Sequence, residues 1–348
     1  MSDTNRYFFR GSFLVFLCFF AVFALLRQGC FYKHDGWAFL EGLQGSVWES
    51  HTHYLYLPFG KLFTVIGSWI GLDGFTAAGL YSGFGAAAGL AFHYPSLRLL
   101  GLKRSDALLV TLLAGFSAPV LFFATVIEIH GPFLAFAGIA FLATASLVER
   151  PSYRRAVLLG LAIALARGVH ASGILLVVVF LPWFLVRVRM GLRAALPLAL
   201  TAALCAAAGV LLLGALVPLL GGPKEPESLG DILESVGGIG VGLGPLASIV
   251  WEEWLKPYFP VSLLLLCALF ARKQRATAAL LLLGTLPYFF LALRIIVNNP
   301  ERGAYLLPLL LPSSLLAFEL ASRRLTALCV IVSALLAVGQ VRQHERDR

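Results

Sequence analysis

The chain has 348 residues, of which 59% are hydrophobic and only 13% are charged, and its mean hydropathy is +0.86. A water-soluble domain cannot hide that much apolar surface, so the composition excludes an ordinary soluble globular protein. The formal net charge is +9. Because the basic residues stand in small clusters between apolar stretches, they indicate membrane orientation and not a nucleic-acid partner. We therefore predict an all-α, polytopic helical membrane protein with a single domain, residues 1–348.

Apolar windows long enough to cross about 30 Å of hydrocarbon recur along the chain, separated by short polar breaks. They predict about eleven transmembrane helices. The predicted spans are residues 8–28, 76–97, 106–126, 132–148, 156–166, 171–186, 194–220, 257–271, 277–296, 303–321 and 325–340. Three other segments complete the chain: a first outer loop at residues 31–75, a long outer loop at 221–256 and a polar tail at 341–348.

The number of spans depends on residues 54–72, which are apolar enough to cross but lie between His53 and Asp73 and contain Pro58. If this segment lies along the membrane surface, six basic clusters fall on one side. They begin at Arg6, Arg98, Arg150, Arg187, Arg272 and Arg323. The excess of Lys and Arg on cytoplasmic loops then places the N-terminus in the cytoplasm. We predict that residues 54–72 form interfacial helices in the first outer loop.

The same charge rule divides residues 156–186 into two short arms, because Arg154 and Arg187 both belong to cytoplasmic clusters. Each arm is too short to cross straight at about 1.5 Å per residue. Arg167 and His170 are therefore expected at a break below the outer surface. Irregular backbone at membrane depth is tolerated where it lines a protein cavity, so we predict that both residues line one.

Two carboxylates on the predicted outer side are candidates for catalysis. Asp35 follows the first apolar helix, and low-dielectric surroundings tune the pKa of such an acid so that it can take a proton from a hydroxyl. The alternative for Asp35 is a solvated loop acid. Glu128 ends the third span and is followed by His130. An ordinary helix-end cap is the alternative for this pair.

Basic and imidazole side chains on the same side are candidates for binding an anionic substrate. Arg302 opens the tenth span, and a lone arginine there can hold a phosphate through two parallel hydrogen bonds. Contact with ordinary lipid headgroups is the alternative. His51, His53, Glu128 and His130 could hold a divalent metal, but the His-x-His spacing is a weak signal. We predict no metal or other cofactor, with a divalent metal as the alternative. The predicted substrate-binding residues are His53, His130, Arg167, His170, Arg302 and Tyr305.

Taken together, these segments resemble the GT-C superfamily of integral-membrane glycosyltransferases, which includes protein O-mannosyltransferases and lipid A aminoarabinose transferases. Asp35-Gly36 is similar to the acidic first loop of the family, and residues 51–63 are similar to the proline-containing segment that follows it. Glu128-Ile129-His130 falls at a second acidic site of many members. Residues 160–167 resemble a short Gly-Leu-Ala…Thr-Lys span, and residues 302–308 resemble a late Arg-Tyr-Leu-Pro element.

The resemblance implies an enzyme that takes a sugar from a polyprenyl-phosphate carrier and delivers it to a lipid, glycan or protein hydroxyl on the outer face. Asp35 would deprotonate the acceptor, while Arg302, Arg167 and His170 would stabilise the departing lipid phosphate. Single displacement would invert the anomeric centre.

Two other functions remain open at this point. The same charges could line the pathway of a lipid or small-solute transporter, or the chain could be a non-catalytic membrane scaffold. Membrane lipids are expected partners in each case. The abundance of Ala, Leu and Arg and the scarcity of asparagine predict a bacterial inner-membrane protein, with the endoplasmic reticulum as the alternative location.

Overall fold

The computed structural model describes residues 3–32, 34–45, 53–219, 243–271, 275–279, 282–283 and 302–347. Within these ranges the regular elements are helical and no residue lies in a strand, which confirms the all-α prediction. The helices are α1 (Asp3–Leu25), α2 (His34–Gln44), α3 (Tyr56–Trp69), α4 (Gly74–Leu99), α5 (Arg104–Gly115), α6 (Ala118–Thr125), α7 (His130–Glu149), α8 (Tyr153–Val169), α9 (Leu176–Arg187), α10 (Leu192–Leu219), α11 (Leu243–Val250), α12 (Val261–Ala268), α13 (Leu307–Leu320) and α14 (Arg323–Arg346).

Four helices in the described part of the chain are long and apolar enough to cross a membrane, namely α4, α7, α10 and α14. The pair α5 and α6 makes a fifth if the two helices form one bent span. Shorter apolar helices occur at Phe9–Leu25, Ala171–Arg187 and Ala304–Leu320. These helices are consistent with an integral membrane protein, whereas the total of eleven spans stays a prediction. Most of the predicted span 277–296 lies outside the described residues.

The predicted span 106–126 is broken into α5 and α6, which meet at an angle of 65°. Pro119 stands in the first turn of α6, and Ser117 before that turn has an extended backbone. A proline has no N–H to donate to the carbonyl four residues earlier, and its ring clashes with that carbonyl. The helix therefore ends near Gly115, and a new helix begins where proline is tolerated. The apolar window predicted the length of this span but not its bend.

Helix α4 packs along α1 in the opposite direction. A Cβ built on Gly11 would contact the ring of Tyr94, near the other end of α4. A Cβ built on Gly83 would lie 3.2 Å from Phe23, near the end of α1. Residues early in one helix thus meet residues late in the other.

Helices α4 and α7 cross closely because small residues face each other. A Cβ on Gly138 would lie 2.6 Å from the carbonyl oxygen of Gly89, and one on Gly89 would lie 2.5 Å from that of Leu134. Helices in a membrane associate through such backbone approaches, because lipid supplies no hydrophobic driving force between them. A Cβ on Gly131, at the start of α7, would contact the backbone of Ser82 in α4. Gly131 thus lies at Ser82 and Gly138 at Gly89, so the two helices run in the same direction.

Residues 153–187 form the predicted hairpin. Gly160 of α8 lies against Cys205 of α10, and Gly168 lies against Leu213, so α8 and α10 run in the same direction. Helix α9 ends only a short turn before α10 begins, and it therefore returns in the opposite direction. A 3-10 turn, Ala171–Leu175, joins the two arms. The charge pattern located this break correctly.

Ion pairs join helix ends that carry the basic clusters. The guanidinium of Arg187 donates to both carboxylate oxygens of Glu319, at 2.7 and 2.5 Å. Arg323 lies 3.4 Å from Asp106. The first pair links the ends of α9 and α13, and the second links the starts of α5 and α14. We call this region the basic end of the bundle.

Residues 31–75, the predicted first outer loop, contain two helices, α2 and α3. Leu62, Ile66 and Trp69 of α3 are exposed, whereas Tyr56 is buried. The exposed apolar side chains suit contact with lipid, and the interfacial position of α3 stays a prediction.

The other two predicted segments are partly helical. The predicted tail at 341–348 continues α14 to Arg346 and buries His344. Within the long loop, residues 221–242 lie outside the described residues, and the described part forms α11 and a π-helical turn, Trp251–Leu255.

We expect Gly138→Ala to destabilise the bundle, because its methyl group would lie 2.6 Å from the Gly89 carbonyl oxygen. Forcing an extra group into a packed contact typically costs about 1–3 kcal/mol. Gly214→Ala is the control, since nothing lies within 4 Å of its Cβ position. Thermal unfolding in detergent should show a lower midpoint for Gly138→Ala alone. Equal midpoints for the two variants would contradict the close crossing.

Candidate functional site

Three imidazoles from distant parts of the chain lie together at the end of the bundle opposite the basic end. His53 precedes α3, His130 begins α7 and His170 follows α8. The ring centre of His170 lies 5.2 Å from that of His53 and 5.1 Å from that of His130. We call these three residues the histidine cluster. The ring of Tyr305 lies 5.7 Å from His130 and 5.8 Å from His170, so four of the predicted binding residues are neighbours.

His170 is held in place by the turn that follows it. The backbone N–H of Ser172 donates to Nδ1 of His170 at 3.1 Å, and the Ser172 hydroxyl lies 2.7 Å from the same nitrogen. Because Nδ1 accepts, the neutral ring carries its proton on Nε2. Gly173 packs directly on the backbone of Ala166 and Arg167, which leaves no room for a side chain. The break between α8 and α9 therefore sets the position of His170.

Arg167 lies at the end of α8 and is only 7% exposed. Its guanidinium carbon lies 5.5 Å from the ring centre of Tyr54. The backbone N–H of Leu55 donates to the carbonyl of Gly168 at 2.7 Å, so residues 53–55 are attached to the end of α8. This attachment brings Arg167 and His53 together.

Burial and the positive charge of Arg167 both affect the pKa of the His53 imidazole. Burial lowers the pKa of His53 to about 3, the positive charge of Arg167 adds to this shift, and a backbone contact with Val169 opposes it. His53 is consequently neutral near pH 7.

Glu128 lies in the turn between α6 and α7 and is 3% exposed. The Ser82 hydroxyl accepts from the N–H of Glu128 at 3.1 Å and donates to its carbonyl at 2.9 Å. The Glu128 carboxylate accepts from the N–H of Ile129 at 3.0 Å, at the start of α7. The carboxylate thus contacts a helix N-terminus, as the capping alternative requires, and Glu128 is buried two residues before His130.

Asp35 is the second residue of α2, but its side chain lies outside the described part of the structure. Its neighbour Gly36 packs against the turn before α7, since a Cβ there would lie 2.8 Å from the carbonyl oxygen of Ile127. The backbone of Asp35 is therefore adjacent to the turn that carries Glu128. Glu41, further along α2, is exposed.

Arg302 lies before α13, with its guanidinium carbon 5.4 Å from the ring centre of Tyr32 and 4.8 Å from that of Phe122. Phe122 packs edge-on against Phe123, whose ring centre lies 5.0 Å from that of His130. The three aromatic rings thus connect Arg302 to the histidine cluster. The predicted binding residues therefore gather at one end of the bundle.

Two buried polar groups were not predicted from the sequence. Glu253 accepts hydrogen bonds from the backbone of residues 302 and 303. His344, near the end of α14, lies 2.5 Å from the side-chain oxygen of Gln28, whose amide donates to Thr125 at 2.9 Å. The only sequence signal for Glu253 was its position in an apolar Trp-Glu-Glu-Trp stretch, and His344 stood in a polar segment with no signal.

Among the residues that the structure describes, no three His, Cys, Asp or Glu side chains are arranged to hold a metal ion. The rings of His53 and His170 stack with an angle of 26° between their planes. Stacked rings do not direct their nitrogens to a common point, as a metal site requires. His51 lies outside the described residues.

The chain was compared with family models, with curated proteins and with solved structures, and none of them matches it. Its function therefore has to be inferred from the residues and their arrangement.

The neutral His53 predicts a specific pH dependence of stability. The unfolded chain binds a proton at this residue below about pH 6.5, whereas the folded protein does so only near pH 3. Lowering the pH from 7.5 to 5 should therefore reduce the free energy of unfolding, by up to about 1.4 kcal/mol per unit below 6.5 from this residue. Apparent melting temperatures of the wild type and His53→Gln measure this effect.

The glutamine variant cannot take up the proton, so its melting temperature should fall less on acidification than that of the wild type. The remaining histidines are common to both proteins, so the difference between the two profiles reports His53 together with its contact with His170. Parallel pH profiles would show that His53 titrates normally in the folded protein.

Proposed function

We propose that this protein is a membrane glycosyltransferase that takes a sugar from a polyprenyl-phosphate donor and delivers it to an acceptor hydroxyl. The observation that carries the proposal is the collection of opposite charges at one end of an apolar bundle. Glu128 and the start of α2 adjoin one another there, and Arg167 and Arg302 approach the same histidine cluster. Ionisable groups in an apolar helical protein are costly and mark functional sites.

The proposed reaction needs a base for the acceptor and positive charge for the leaving group. The acceptor oxygen attacks the anomeric carbon, the bond from that carbon to the phosphate oxygen breaks, and Asp35 takes the hydroxyl proton. Arg302 and Arg167 stabilise the negative charge that develops on the departing lipid phosphate. Glu128 belongs to the same site because its turn supports the start of α2. One displacement at the anomeric carbon inverts its configuration.

The histidine cluster and Tyr305 are proposed to bind the sugar and phosphate parts of the donor. His53 is neutral, so it adds no repulsion to the cations that the phosphate needs. His170 keeps its Nε2 proton as a hydrogen-bond donor. Flat rings from Tyr305 and the imidazoles offer apolar faces as well as donors, which suits a molecule with both hydroxyl groups and apolar C–H surfaces.

Transfer is favoured over transport because the candidate groups in the described residues gather at one end. A solute pathway would be expected to place ionisable residues near the middle of the spans. A scaffold without catalysis offers no reason to bury two ionisable residues, Arg167 and Glu128, at the same end of the bundle. We accordingly rank the transporter and the scaffold below the transferase.

We also propose eleven spans, a cytoplasmic N-terminus and an outer-facing site in a bacterial inner membrane. The salt-bridged basic end and the hairpin at residues 153–187 support this topology. A reporter fused after Arg104 should therefore report the cytoplasm, and one fused near Glu227 should report the outer side. Both reporters in one compartment would contradict the proposed topology.

Asp35→Asn is the decisive variant for the proposed chemistry. The amide keeps the size of the carboxylate but cannot accept the proton, so the transfer rate should fall by about 10²- to 10⁴-fold. The measurement uses purified protein, a polyprenyl-phosphate sugar and an acceptor that carries a free hydroxyl group.

Glu41→Gln is the matched control, because Glu41 is exposed on the same helix. It should retain most of the activity. Full activity of Asp35→Asn would exclude the proposed base, and equal losses in both variants would indicate a general defect of α2.

A further inference from the structure

Glu253 is buried to 1% exposure in the π-helical turn Trp251–Leu255, and its carboxylate binds the backbone just before α13. One oxygen accepts from the N–H of Arg302 at 3.2 Å, and the other accepts from the N–H of Gly303 at 2.7 Å. Burying a carboxylate is unfavourable unless its oxygens are occupied. Bonds from backbone N–H groups to an ionised acceptor are among the stronger hydrogen bonds in proteins.

The two residues that Glu253 binds have left-handed backbones, with φ of 48° at Arg302 and 84° at Gly303. Within the described chain, Arg302 is the non-glycine residue with positive φ. Such a conformation is unfavourable for a residue with a side chain and persists only where its surroundings hold it. Two successive N–H groups in a turn of this kind form a concavity that binds an anion. The Glu253 carboxylate occupies that concavity.

Residues next to Glu253 hold the turn from its other side. The Tyr258 hydroxyl donates to the carbonyl oxygen of Gly303. A Cβ on Gly303 would lie 2.6 Å from the Tyr258 ring and 2.9 Å from the carbonyl oxygen of Glu253, so glycine is required. The backbone of residues 302 and 303 is therefore fixed by the segment 253–258.

This backbone determines where the Arg302 side chain goes. A left-handed φ turns the Cα–Cβ bond away from the direction that an ordinary turn would give it. In the structure the guanidinium lies over the rings of Tyr32 and Phe122, on the way to the histidine cluster. Without the carboxylate, the turn loses two hydrogen bonds and can relax to negative φ, which would withdraw the guanidinium from these rings.

We propose that Glu253 is a positioning residue for the anionic donor and acts through Arg302. Its carboxylate holds the left-handed turn, and the turn aims the guanidinium at the place where the phosphate of the lipid-linked sugar binds. This inference rests on the proposed function, because it takes Arg302 as a ligand of that phosphate. The inference gives a role in donor binding to Glu253, a buried acidic residue that lies on the opposite side of the turn. Glu253 does not contact the phosphate itself.

A double-mutant cycle on phosphate binding tests the proposal. The four purified proteins are the wild type, Glu253→Gln, Arg302→Ala and the double variant, and the probe is a short-chain polyprenyl phosphate without sugar. Glutamine keeps the size of Glu253 but turns its NH₂ group toward a backbone N–H. Glu253→Gln should weaken binding in the wild-type background, and coupled residues typically give effects of about 2- to 150-fold.

In the Arg302→Ala background, Glu253→Gln should have no further effect on the affinity. The same loss in both backgrounds would overturn the proposal, because Glu253 would then act on the fold and not through Arg302. Unchanged binding in the single variant Glu253→Gln, or in Arg302→Ala, would also overturn it. If Glu253→Gln cannot be purified, Glu253→Asp replaces it, since the shorter carboxylate reaches at most one of the two N–H groups.

Glu252→Gln is the matched control. Glu252 is the adjacent residue, but it is partly exposed and pairs with Lys256 at 2.7 Å. Its replacement should leave the affinity unchanged. Binding of the lipid phosphate is measured without sugar transfer, so the failure of the transferase proposal and that of the Glu253 proposal can be distinguished. A wild type that binds the lipid phosphate but transfers no sugar refutes only the transferase proposal. In an active enzyme, Glu253→Gln should raise the KM for the donor and leave that for the acceptor unchanged.

Discussion

Burial of ionisable side chains in an apolar bundle is the constraint on which the rest of this structure depends. Glu128, Arg167 and Glu253 are 3%, 7% and 1% exposed. Charged groups at such positions destabilise a fold unless hydrogen bonds or opposite charges compensate them. The two carboxylates accept hydrogen bonds from backbone N–H groups that lie just before helices, Glu128 from Ile129 and Glu253 from residues 302 and 303. The guanidinium of Arg167 lies against the ring of Tyr54. Helix ends therefore compensate the buried carboxylates, and an aromatic ring covers the buried cation.

Close packing of small residues places these helix ends at the same level. The contact between Gly89 and Gly138 allows α7 to approach α4, and the approach brings the turn before α7 against Ser82. The contact between Gly168 and Leu55 likewise attaches the segment of His53 to the end of α8. Because each attachment is between backbones, the site is assembled by helix packing and does not depend on a separate domain.

The sequence predicted the helical class, the hairpin at residues 153–187 and the common side of the candidate site residues, because hydropathy and charge are local signals. It did not predict that His53 and His130 both contact His170, since those contacts depend on three segments that meet only in the fold. The bend at Pro119 was hidden within a continuous apolar window. Nor could the pattern distinguish Glu253 from the exposed Glu252, because a π-helical turn shifts the side-chain directions.

The central claim is that a lipid phosphate binds at the end of the bundle that holds the histidine cluster. A polyprenyl phosphate carrying a photoreactive group next to its phosphate tests this most directly, with crosslinked peptides identified by mass spectrometry. The account predicts adducts on peptides that contain Tyr54, Phe122 or Tyr305, and their loss when unlabelled polyprenyl phosphate is in excess. Competed adducts confined to the basic end, on peptides that contain Asp106 or Arg187, would contradict it.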